Sequence, residues 1–142
     1  MRIVVDTSVL ISALRSGAGA SAEILRLVLR GELTILMNYN LACEYRDVAL
    51  RAEHLRGSGR SQAQTSLILD AMEAIAEPVY VAFRYRPLSP DVNDDLVMEL
   101  AINGNADAIV TNNTKHFRDA AERFSLAVLI PAELLSKFRR KE

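Results

Sequence analysis

Residues 1–8, MRIVVDTS, decide how the rest of the chain is read. Ile3, Val4 and Val5 form an uninterrupted apolar run that predicts a short buried strand. The run stops at Asp6, and Thr7 and Ser8 open VLISAL, whose apolar residues recur at helical spacing. An acid directly after a buried strand stands where α/β sheets gather their ligands. Aspartate is also a preferred helix cap. On these residues alone Asp6 is either a cap or a ligand.

Outward from this stretch, the same alternation recurs. A helix is expected from about Thr7 to Leu14, then the turn-rich RSGAGAS, then a helix capped by Ser21 and ending near Gly31. LTILM (Leu33 to Met37) reads as a second strand, and Asn38 or Asn40 can cap a helix from about Leu41 to Leu55. After the GSGRS break, Ser61 to Ala76 reads as a helix and VYVAF (Val79 to Phe83) as a third strand. The polar RYRPLSPDVN leads to a helix, DDLVMELAING, and a fourth strand from Asp107 to Thr111. A short helix through Arg123, a fifth strand in LAVLI and a last helix opened by Pro131 complete the pattern. Apolar strands alternating with helices predict an α/β protein, with a central parallel sheet of about five short strands covered on both faces. Residues 1–142 fit one domain.

Half the residues are apolar and a quarter are charged, as in ordinary globular proteins. No apolar run is long enough to span a bilayer, and the N-terminus lacks the features of a signal peptide. The single Cys43 excludes an intrachain disulfide and fits a reducing, cytoplasmic setting. With a net charge of −1, any basic surface for nucleic acid must be local. Arg84, Arg86, Arg139, Arg140 and Lys141 are the candidate phosphate contacts, although surface solvation explains them equally well.

Three further acids compete for attention. Asp94 and Asp95 open a helix and diverge by about 100° about its axis. Asp94 shares a face with Val97, Met98 and Ala101 and should look inward, while Asp95 lines up with Glu99 toward solvent. Both acids also suit the positive end of a helix dipole. Glu44 borders the apolar face of its helix, three after Leu41 and four before Val48. Asn112 and Asn113 follow the IVT strand as turn residues or as the lining of a site. His116 reads as a surface or capping histidine. His54 and Cys43 have no partners at zinc-like spacing.

VVDTSVLISAL, LACEYRDVAL and DVNDDLVMELAINGNADAIVTNNTKHF together resemble the PIN-domain ribonucleases along nearly the whole chain. The similarity is strongest to the toxin components of toxin–antitoxin systems, relatives of the VapC-type toxins. The resemblance implies a three-layer α/β/α fold and Mg²⁺- or Mn²⁺-dependent endonuclease activity on RNA, with Asp6, Glu44 and Asp94 as metal-site acids. It also implies that Ser8 and Thr111 position the first acid and the site water. A small antitoxin partner and a homodimer follow from the same likeness. Many relatives carry a fourth acid where this chain has Asn113, which removes one charge from the site. Asn113 would then orient water rather than bind metal strongly. Ser8 stands where asparagine is frequent, and a hydroxyl can still hold Asp6.

The residue types suit this chemistry. Hard divalent cations take oxygen ligands. Two carboxylates 4 Å apart repel by about 4 kcal/mol at an effective dielectric near 20, a strain that a cation relieves. No histidine or lysine base is needed when a metal activates the water. A PIN-like RNA-binding or assembly module with a weak metal site is the alternative. A phosphotransferase using Asp6 as nucleophile would need a second acid two residues on, where this chain has Ser8.

Overall fold

The computed structural model describes residues 1–82 and 92–141. In chain order the elements are β1 (Arg2–Val5), α1 (Thr7–Arg15), α2 (Ala20–Leu29), β2 (Thr34–Met37), α3 (Tyr39–Ala49), α4 (Ala52–Ser58) and α5 (Gln62–Ile75). They continue as β3 (Glu77–Pro78), α6 (Val92–Asn103), β4 (Ala108–Val110), α7 (Thr114–Phe124), β5 (Val128–Leu129) and α8 (Pro131–Arg140). The strands form a five-stranded sheet in the order β3-β2-β1-β4-β5, and every pairing is parallel.

β1 lies in the middle because its side chains are apolar on both faces; Ile3 and Val4 are fully buried. Its register pairs Ile3 with Ile35 on one side and with Ala108 on the other. The chain steps from β1 to β2 to β3 in one direction, then crosses back to β4 and β5 in the other. Right-handed crossovers therefore place α1 to α5 on one face and α6 and α7 on the opposite face. The packing agrees: α1 lies on α2 and α3, α2 on α5 and α8, and α6 on α7, β1 and β4. This is the expected three-layer α/β/α arrangement. The reversal of direction opens a crevice at the carboxyl ends of β1 and β4.

Local chemistry fixes several boundaries. Asn38 caps α3, its side chain accepting from the Leu41 amide at 2.9 Å. Ser61 and Gln64 form a reciprocal capping box at the start of α5. α2 ends in a Schellman turn: Gly31, at φ 77°, donates to Val28 O while Glu32 donates to Leu27 O. Ser21 does not cap this helix; Gly19 holds the cap position and Ser21 is buried within the first turn.

Two expected elements are corrected. The third strand is Glu77–Pro78 rather than Val79–Phe83, because β2 ends at Met37 and Met37 pairs with Pro78. Val79 still donates to Met37 O at 3.0 Å, but β2 ends there, and Phe83 lies outside the described residues, as do Arg84, Arg86 and Asp91. The helix expected from Leu41 to Leu55 is broken at Leu50 and Arg51, where Arg51 takes extended backbone (ψ 141°). The break lets α4 fold back onto α1, where Arg15 donates to Glu53 O at 3.3 Å and Arg60 donates to Leu14 O.

Candidate active site

β1 delivers Asp6 to the mouth of the crevice. The Asp6 amide extends the β1–β4 ladder by donating to Val110 O at 2.9 Å. Asp6 then occupies the N-cap position of α1, yet its side chain makes no capping bond. Both hydrogen bonds to the carboxylate go instead to Oδ2: Ser8 Oγ and Thr111 Oγ1 each donate at 2.8 Å. Each hydroxyl is in turn fed by a backbone amide, Asn112 N to Ser8 Oγ at 3.3 Å and Asn113 N to Thr111 Oγ1 at 2.9 Å. Chains of this kind polarise the hydroxyls toward the acid. The carboxylate is buried, so its orientation is fixed by these donors rather than by water.

Glu44 reaches the same cleft from α3, and Thr7 Oγ1 donates to its Oε2 at 2.6 Å. What carries α3 there is Tyr45, a fully buried side chain whose hydroxyl donates to Val5 O, the last strand carbonyl before Asp6. Burial pushes the Tyr45 phenol well above its usual pKa, and the Asp6 and Glu44 carboxylates push it the same way.

Asp94 comes from the first turn of α6 and is 7% exposed. His116 Nδ1, from α7, stands 3.2 Å from its Oδ2. The inward expectation for Asp94 holds. The outward expectation for its neighbours does not: Asp95 and Glu99 are each 3% exposed. α6 packs against α3, α7 and three strands, so it has no wide solvent face.

Asp6, Ser8, Glu44, Asp94 and Asn113 line one open cleft of about 500 Å³, together with Thr7, Asn112, His54 and His116. Thr111 lies beneath it, fully buried. Asn113 occupies the N-cap position of α7 without a side-chain capping bond, while Asn112 Nδ2 donates to Ser12 Oγ at 3.0 Å. Among the described residues, no three His, Cys, Asp or Glu side chains form a group that could hold a metal ion. The acids therefore share a cleft without closing a ligand shell. What they offer is oxygen donors only, the chemistry that suits a hard cation keeping several of its waters.

Sequence reasoning missed Thr7, His54 and His116 as parts of the cleft. Thr7 was legible as a residue next to Asp6. The histidines were not, because each reaches the site through packing between helices. Cys43 is exposed and stands apart from the cleft.

The family model described as PIN domain matches residues 2–115. A search of curated protein sequences found no match. Among solved structures, the chain is similar to one in the crystal structure of VapBC2 from Rickettsia felis bound to a DNA fragment from their promoter. The TM-score is 0.61 and the identity 21%, covering 91% of this chain and 97% of that one. At that identity the likeness shows a shared fold. PIN domains are generally nucleases, and the matched span holds Asp6, Ser8, Glu44, Asp94, Thr111 and Asn113. The chain belongs to the PIN domain family.

Proposed function

We propose that residues 1–142 form a single-domain, Mg²⁺- or Mn²⁺-dependent endoribonuclease that hydrolyses phosphodiester bonds in single-stranded or loop RNA. The observation that carries this reading is Asp6, which declines the helix-cap role its position offers and is held by two hydroxyls facing a cleft shared with Glu44 and Asp94. Those three carboxylates would hold the metal, directly or through water. A bound ion would supply an activated water and offset the charge growing on the phosphoryl oxygens.

The chain's own groups do the rest. Ser8 and Thr111 fix the Asp6 carboxylate before substrate arrives, so little reorganisation is left for the reaction. Thr7 fixes Glu44 across the cleft. Asn113 places an amide at the mouth, where it can orient a water but adds no charge.

The likeness to VapBC2 supports a toxin role with a small antitoxin as partner, and a homodimer is proposed with it. A cytoplasmic location fits the lone Cys43, and no described helix is long and apolar enough to cross a membrane.

A mixed RNA pool incubated with Mg²⁺ or Mn²⁺ tests the reading. Cleavage abolished by EDTA and by Asp6→Asn supports it; a wild-type rate in the folded Asp6→Asn protein overturns it. Asn113 and the unclosed acid set favour one other reading, an RNA-binding or assembly module. That module binds RNA in EDTA and cleaves nothing in Mn²⁺.

A further inference from the structure

The cleft changes character along its length. On α1, Thr7, Ile11 and Arg15 follow one another at i, i+4 spacing and so share a face over about 12 Å. Facing them, Glu44 and Val48 lie on α3, and His54 lies on α4 beyond the break. The two walls run side by side, since Thr7 bonds to Glu44 and Arg15 to Glu53 and His54. Acids and hydroxyls therefore occupy one end, Ile11 and Val48 make an apolar middle, and His54 lines the other end with Arg15 bonded to it from behind.

That last pair is built in detail. Arg15 Nη2 lies 3.1 Å from His54 Nδ1. A guanidinium can only donate, so Nδ1 is the acceptor and the ring proton sits on Nε2. Nε2 is 3.7 Å from Glu53 Oε1, beyond hydrogen-bond reach, and His54 lines the cleft. The Arg15 guanidinium lies against Gly57, where a Cβ would come within 2.5–2.8 Å of Cζ, Nη1 and Nη2. Gly57 has no positive φ, so the close approach of Arg15, not backbone strain, is what a side chain there would disturb.

We propose that Arg15 and His54 form a phosphate subsite for the substrate strand, a few nucleotides from the acids, with an intervening base resting on Ile11 and Val48. This rests on the nuclease reading. It adds a local cation and an N–H donor to a chain whose net charge is −1, which a polyanionic strand needs. Glu53, largely exposed beside His54, is free to turn away as the phosphate arrives.

Fluorescence anisotropy of a labelled single-stranded RNA in EDTA reads binding without requiring cleavage, so failure of the nuclease reading does not silence the test. Arg15→Gln is expected to weaken binding about tenfold and to lower the slope of log K against log salt by about one. His54→Gln and Gly57→Ala should each weaken it a few-fold; Gly57→Ala does so with no loss of charge, and it serves as the second variant if Arg15→Gln melts early. Arg30→Gln, the same charge change at the C-cap of α2, should leave binding within about twofold. Single-stranded DNA of the same sequence should lose affinity in parallel, since the contact is to phosphate. Wild-type affinity and slope in both Arg15→Gln and Gly57→Ala overturn the proposal. So does an equal loss in Arg30→Gln, or a loss confined to RNA.

Discussion

At the sheet end of the cleft, Asp6 is buried and held from two sides by hydroxyls that backbone amides hold in turn. At the helical end, His54 lies on a short helix with no buried residue of its own and is held by an exposed arginine from α1. The first end is rigid because strand pairing continues to within one residue of it. The second depends on side chains that can swing. On the proposed nuclease reading, fixed acids beside adaptable outer contacts would hold one scissile bond while tolerating varied flanking sequence.

Several substitutions probe that contrast. The largest effect is expected at the rigid end, where Asp6→Asn should reduce cleavage by about 10²-fold or more with the melting temperature kept. Asp94→Asn should act similarly, whereas Asp95→Asn, buried but outside the cleft lining, should cost stability more than rate; parallel cleavage assays and thermal melts separate the two. Removing one tie, Thr111→Val, should lower metal affinity or activity by about 10–100-fold, measurable as a shift in the Mn²⁺ activation curve. Asn113→Asp restores a charge at the mouth and should raise metal affinity by up to about tenfold in the same titration.

The smallest effect is structural. Tyr45→Phe removes the bond to Val5 O and should cost about 1 kcal/mol in urea unfolding at neutral pH. Its pH dependence follows from the raised phenol. Above about pH 10 the unfolded phenol has lost its proton while the native one keeps it, so stability falls as pH rises. The wild-type advantage over Tyr45→Phe should therefore shrink between about pH 8 and about pH 10.5, and an advantage that grows would contradict the assignment.

The order of elements and the inward turn of Asp94 were legible because apolar periodicity reports burial directly. Ile3 to Val5 could hardly be anything but a buried strand. The same logic misplaced Asp95 and Glu99, since a helix wheel assumes one dry face and one wet one. α6 is enclosed on several sides, so polar residues opposite its apolar stripe are buried as well. The break at Leu50 and Arg51 carries neither glycine nor proline, and only the tertiary tie between α1 and α4 explains it. Asp6 itself was an even choice between cap and ligand. Two hydroxyls, one of them from a distant strand end, decided against the cap.

That second hydroxyl belongs to Thr111, 105 positions after Asp6. During synthesis Asp6 and β2 are made well before β4, the second strand that pairs with β1, and before the hydroxyl at its end that orients the acid. Contacts of such long sequence separation close last and slowly. Until β4 has been made, a nascent chain carries the acid without its setting. The interleaved sheet thus ties assembly of the acidic cleft to a strand 105 positions away from the acid it completes.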